Sequence, residues 1–426
     1  MKEHKKAEII HSMPLFQSMK NISAKFWTII SLFNLLIVAS LGVLMRYKIG
    51  FEFLHFNQKF LQEGHSHFAF LGWITQTLMV LITFFLSQYL EGKRLKTYHR
   101  LLLLNLFLAY LILAILLMQG YGILFFIFIT LSFFASIAFA LFCFRDFRKI
   151  EKSNMSIQWF KASLIFNLIS SAGTFALAIM MLTKNIPKYG DLASEYWYLH
   201  FQYNGWFFFA SMGLFLNYVK HIFPGFKLSN SIFWLFAISC ISGFGLSVLW
   251  LKIPLWIYCI IVLGAFAQII AWIKLLLELK KISFFSTERI NGLSKLLFTA
   301  VALCLSIKLA LQLGSTIPVI SQMAFGFRPI VIAYLHLVLL AIFSIFILTF
   351  FYTNNLISNK PGSTTGLVIF VAGVFINELI LGIQGVASLS YHLVPYVNYL
   401  LFGASMVLFT GIIILLFSQF VGLRNK

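Results

Sequence analysis

Four histidines sit within strongly apolar stretches of this chain, and their types and spacing are the first candidates for chemistry. His65 and His67 belong to GHSHFAFLGW at residues 64–73, His200 to LHFQYNGWFFF at 199–209, and His336 to AYLHLVLLA at 333–341. Neutral imidazole ligates many metals and is a frequent axial ligand to haem iron. In a bilayer-spanning helix a histidine is costly to insert and normally faces a bundle interior or a cavity. The competing explanation is structural, a hydrogen bond between helices contributing about 1 kcal/mol or less. The spacing favours a ligand layer. His67, His200 and His336 are separated by 133 and 136 residues, as three successive four-helix units would produce. Two residues apart on a helix, His65 and His67 point about 200° apart, so they address two sites rather than one.

Other polar groups fall at similar positions. Asn204 follows His200 by four residues and shares its helix face. Lys308 and Glu378 are the acid and base that lie well inside apolar segments, where pairing with each other would offset part of the insertion cost. Their functional alternatives are a proton relay or a partner for an anionic cofactor group, with Asn377 and Gln312 extending the polar layer. Arg328 stands at the edge of a segment, suited to a carboxylate; Arg46 and His392 could act in the same way. His4, His11, His55, His99 and His221 read as solvated or interfacial.

The elements that must position these residues are helices in lipid. The chain is 61% hydrophobic and 10% charged, with 50 phenylalanines, too little charge for a soluble surface of 426 residues. Windows of about 20 apolar residues predict twelve spans, at 26–45, 68–90, 101–118, 123–144, 159–182, 197–219, 232–251, 255–277, 293–313, 330–352, 366–385 and 394–420. The expectation is an all-α polytopic membrane bundle with pseudo-threefold, three-by-four organisation. Residues 1–25 would form a short lead, 26–421 one transmembrane domain, and 422–426 a tail. The net charge of +20 is topological: with the N-terminus inside, 24 of the 32 Lys and Arg residues fall on the inner side and 7 on the outer, Lys308 lying within a span. Both termini are therefore expected in the cytoplasm, the lipid bilayer is the partner, and nucleic acid is not. Cys143, Cys240, Cys259 and Cys304 form no CxxC or CxxCH, so neither a disulfide framework nor covalent c-type haem is indicated. At 1.5 Å rise per residue the four histidines lie within roughly the outer third of the bilayer.

Residues 64–73 resemble the G-H-x-H-x-x-x-L-G-W pattern on the tenth helix of the cbb-type branch of the haem-copper oxidases. Residues 199–209 resemble the sixth helix of nitric oxide reductases. There a ligating histidine precedes an acidic residue by four positions and a glycine by five; here His200 and Gly205 match and Asn204 takes the acidic place. The resemblance implies b-type haem on an oxidase-like bundle, one haem held by His65 or His67 with His200 or His336. The histidine left over would provide for a second, and Arg328 would face a propionate. It departs from the family in three respects, one being that no tyrosine is placed for the oxidase-type crosslink to a histidine. The double-histidine segment is on the second helix, and the seventh and eleventh carry no histidine. A copper or non-haem iron centre therefore lacks its usual ligands, leaving only His200 or His336 with Glu378. The implied activity is electron transfer or diatomic-gas chemistry, as in a terminal oxidase or nitric oxide reductase of a bacterial cytoplasmic membrane. A separate electron donor, a cytochrome c, cupredoxin or quinol, would be needed. Two other readings stay open, a proton-coupled secondary transporter using Lys308, Glu378 and His336, and a non-catalytic haem sensor or assembly factor.

Overall fold

A computed structural model describes residues 24–51, 55–151, 154–185 and 187–420. The expected tail 422–426 and nearly all of the lead 1–25 lie outside the described residues. Long helices in succession make up the chain, and among the described residues there is no strand. In chain order they are α1 Ala24–Gly50, α2 Gln58–Ser87, α3 Lys93–Gln119, α4 Ile123–Phe147 and α5 Ser156–Thr183. A continuous helix over 190–222, α6, follows. Next come α7 Asn230–Val248, α8 Leu255–Lys281, α9 Gly292–Gly314, α10 Arg328–Thr353, α11 Pro361–Leu389 and α12 Val397–Ser418. A short helix, Pro318–Gly326, precedes α10.

Eleven of these helices are long and apolar enough to cross a membrane; α6 is not among them. The sixth expected span, 197–219, lies within it. Its polar run, His200, Gln202, Tyr203 and Asn204, explains the shortfall. Residues 200–219 are nonetheless buried without a break, so other helices rather than lipid surround this stretch.

Burial ranks the helices. The apolar window of α2 is 100% buried, whereas that of α4 is 28% buried. The halves of α2, α6 and α10 nearest their C-termini are sealed, with 76–86, 208–219 and 345–352 buried at every position. These three helices form the centre, and the others cover them while turning one face outward.

Each central helix also widens into a π-helical segment: Ala69–Thr75 in α2, Phe201–Phe207 in α6 and Leu337–Ser344 in α10. Each segment begins one or two residues after a histidine. Such turns are rare and cluster at functional sites. The three segments interlock. Trp73 Nε1 donates to Ser344 Oγ at 2.9 Å, and Trp206 Nε1 donates to Thr75 Oγ1 at 3.1 Å. The Phe207 and Phe343 rings complete the circuit, edge to face at 5.5 Å.

Outer helices attach through polar locks and close backbone approach. Asn34 of α1 donates to the Gly72 carbonyl in the π segment of α2 and accepts from Tyr110 of α3. Asn105 of α3 donates to Gln76 of α2 at 2.7 Å. Gln202 of α6 donates to Asn167 and Ser170 of α5. At Gly173 of α5 an added Cβ would lie 2.4 Å from the Ser194 carbonyl, so only glycine allows α6 this close. Gly366 and Gly411 do the same between α11 and α12, the small-residue contact expected where lipid supplies no hydrophobic drive.

Candidate functional site

The histidine-bearing ends of the central helices contrast with their sealed ends. In Arg328–His336 no residue is buried, and in Gly190–His200 only His200 is. In Gln58–Phe68 only Leu61, Glu63, Gly64 and Phe68 are. Away from the π segments, each helix packs on its own neighbour: α2 on α3, α6 on α5 and α10 on α11. Arg328 spans the mouth, its Nη2 donating to Gln62 Oε1 of α2 at 2.5 Å. It is thus engaged with a neutral amide in the structure.

The structure sorts the four histidines into three hydrogen-bonding environments. His65 and His336 lie near enough for their charges to interact, and Arg46 of α1 interacts with both. His65 Nδ1 is 3.1 Å from the Val38 carbonyl of α1, and His336 Nδ1 is 2.8 Å from the Ile332 carbonyl in its own helix. A carbonyl accepts only, so both rings carry their proton on Nδ1 and offer the Nε2 lone pair. That arrangement is how proteins fix a ligating imidazole. Gly42 of α1 lies against the His65 ring, where an added Cβ would make ordinary contact with Cε1 at 3.5 Å.

His67 faces the other way, as its two-residue offset predicts. Its Nε2 shares a hydrogen bond of 2.9 Å with Tyr121 OH, its ring stands edge-on to Phe125, and its Nδ1 is buried without a partner. Burial, with the Glu63 and Glu195 carboxylates adding to it, holds the Tyr121 phenol above its ordinary range, so it stays protonated.

His200 belongs to a third environment. Its Nε2 donates to the Cys240 carbonyl of α7 at 2.8 Å, and its Nδ1 accepts from Asn204 Nδ2 at 3.0 Å. Asn204 Oδ1 in turn accepts from Lys308 Nζ at 2.5 Å. Both ring nitrogens are occupied, so His200 offers no lone pair to a metal. The expected shared face of His200 and Asn204 is present, but its partner is Lys308. Lys308 therefore turns toward α6 rather than Glu378. Glu378 is partly buried and accepts from Asn377 at 3.2 Å. Among the described residues no hydrogen bond or ion pair joins any two of Lys308, Glu378 and His336.

A cavity of about 20 Å³ opens beside this chain, lined by α6, α7, α8 and α9. That is room for about one water, far too little for a porphyrin. Sequence reasoning missed Ser239 and Gln268, which line it, and Tyr121; only the fold brings these residues to the histidines. No group of three or more His, Cys, Asp or Glu side chains suited to a metal ion occurs among the described residues. No protein-family model and no curated protein matches the chain.

Proposed function

We propose that this protein is a haem-binding, twelve-span membrane protein of oxidase-like, pseudo-threefold architecture, with α6 as the twelfth crossing. In this reading one b-type haem is held between His65 of α2 and His336 of α10. The observation that carries it is the matched state of these two rings: each has Nδ1 on a backbone carbonyl and Nε2 free, at the open end of the bundle. The equal spacing of the three π segments and their histidines supports the threefold organisation. The excess of Lys and Arg on alternate loops supports cytoplasmic termini.

The residues divide the work. The two carbonyls hold the imidazoles in one tautomer and orientation, which also raises their basicity. Arg46, within electrostatic reach of both rings, is suited to a propionate carboxylate. Below them the packed layer of Trp73, Phe207 and Phe343 excludes water. A haem held by both imidazoles would supply one-electron transfer, which favours an electron-transfer role over gas binding at that site. A separate donor would deliver the electrons. His67 has an orphaned Nδ1, which leaves a second haem without an opposing ligand, and the engaged His200 weakens the case for a distal metal. A sensor or assembly role would share this site and differ in turnover alone. The transporter reading has less support, since Lys308, Glu378 and His336 each bond to other partners.

The test is direct. Protein expressed in a haem-supplied host and purified in mild detergent should give a reduced spectrum of six-coordinate b-haem, one haem per chain. Colourless protein after haem supplementation would refute the reading.

A further inference from the structure

Lys308 is 6% exposed, in a helix that crosses the apolar layer, and no carboxylate of the described residues pairs with it. Its one hydrogen-bond partner among the described residues is the neutral Asn204. A buried ammonium without a counter-charge is strongly disfavoured. The cavity beside it is lined by three more polar side chains, each at least nine-tenths buried: Ser239 at 3%, Gln312 at 8% and Gln268 at 9% exposed. Ser239 Oγ, Gln268 Nε2 and Gln312 Oε1 have no hydrogen-bond partner among the described residues. Buried polar atoms are rarely left without one. Three helices, α7, α8 and α9, thus bring a hydroxyl, an amide N–H and an ammonium to one small space. Gln312 can present its own N–H after rotation of the amide, since the two ends of that group are assigned from surroundings.

The geometry points to a site for one small monovalent anion, chloride-sized or below, held in the α6–α9 cavity by Lys308, Gln268 and Ser239. The anion neutralises the ammonium and takes up the idle donors. Larger oxyanions are excluded by volume. This assignment does not depend on haem, and its groups are separate from His65 and His336.

The experiment is thermal unfolding of the purified full-length protein in mild detergent, titrating chloride against gluconate at constant ionic strength. Matched ionic strength removes general screening, so only a bound ion produces a saturable shift. The expected result is a saturable rise in Tm with chloride that vanishes in Lys308→Met. Lys308→Met should itself fold, since replacing a buried ion by an apolar side chain of similar shape is often neutral or stabilising. If that variant does not fold, Ser239→Ala keeps the lysine and should weaken the apparent chloride affinity about tenfold, one lost hydrogen bond to a charge. No saturable chloride dependence in the parent overturns the proposal. So does an equal dependence in Lys308→Met, or an unchanged affinity in Ser239→Ala.

Discussion

His65 and His336 hold the same ring nitrogen on the main chain, Nδ1 on the Val38 carbonyl at 3.1 Å and Nδ1 on the Ile332 carbonyl at 2.8 Å. The two residues come from helices 271 positions apart in sequence, and Arg46 of a third helix interacts with both. His67 and His200 share neither feature. The pair is thus distinguished from its neighbours by hydrogen bonding, and predictions can separate the four residues.

Gly42 measures how tightly the His65 ring is seated. A methyl at this position makes ordinary contact with Cε1, so Gly42→Ala should keep haem occupancy. Gly42→Leu drives a branched side chain into the ring and should lower occupancy at least tenfold, read as the ratio of Soret to protein absorbance.

The three-way lock of the π segments should appear as energetic coupling. Trp73 with Ser344 and Trp206 with Thr75 are both buried donor–acceptor pairs. Interhelical hydrogen bonds of this kind contribute about 0.5–1.5 kcal/mol in a membrane protein. A double-mutant cycle of Trp73→Phe with Ser344→Ala, followed by reversible unfolding, should return a coupling in that range. Additive effects would mean that packing alone joins the segments.

At the sealed end, Asp146 of α4 is fully buried and accepts from Arg94 and Arg145 at 3.2 Å and from Tyr98 at 3.1 Å. The two arginines are 41% and 48% exposed, so much of their charge is screened by water. Asp146→Asn keeps the shape and removes the charge. It should lower stability by about 2 kcal/mol in an equilibrium unfolding assay while leaving the absorbance spectrum unchanged.

Gly173→Val tests the closest approach of α5 to α6. The new side chain would meet the Ser194 carbonyl and the Tyr198 amide, neither of which can move without shifting the helix. A cost of about 3 kcal/mol is expected, the upper range for overpacking, seen as a lower Tm; Gly173→Ala should suffer a smaller loss.

What the sequence makes legible follows from which signals are local. Apolar length is local, and eleven of the expected spans coincide with helices of the structure. The sixth is helical too, and its polar run, enclosed by protein, leaves it less apolar than the other eleven. The opposed faces of His65 and His67 follow from helical geometry, and Tyr121 and Val38 receive them on opposite sides. The common spacing of the histidines was readable; the π turn after each was not, since nothing in AFLGWIT, FQYNGWF or LVLLAIFS sets them apart from α-helical sequence. Partner choice was the least legible. Lys308 and Glu378 suggest an ion pair by charge alone, yet Lys308 meets Asn204, 104 residues away, because α9 packs where α6 is polar. Asn204 also bonds Nδ1 of His200, a partner that residue type alone does not reveal.

The most direct test of the His65–His336 assignment is the dithionite-reduced minus oxidised spectrum of four single variants, purified in parallel with the parent. The account predicts that His65→Ala and His336→Ala each lose the six-coordinate b-haem signature, while His67→Ala and His200→Ala retain it at parental stoichiometry. Loss of the signature in His200→Ala with retention in His336→Ala would contradict it, as would a parent protein that takes up no haem.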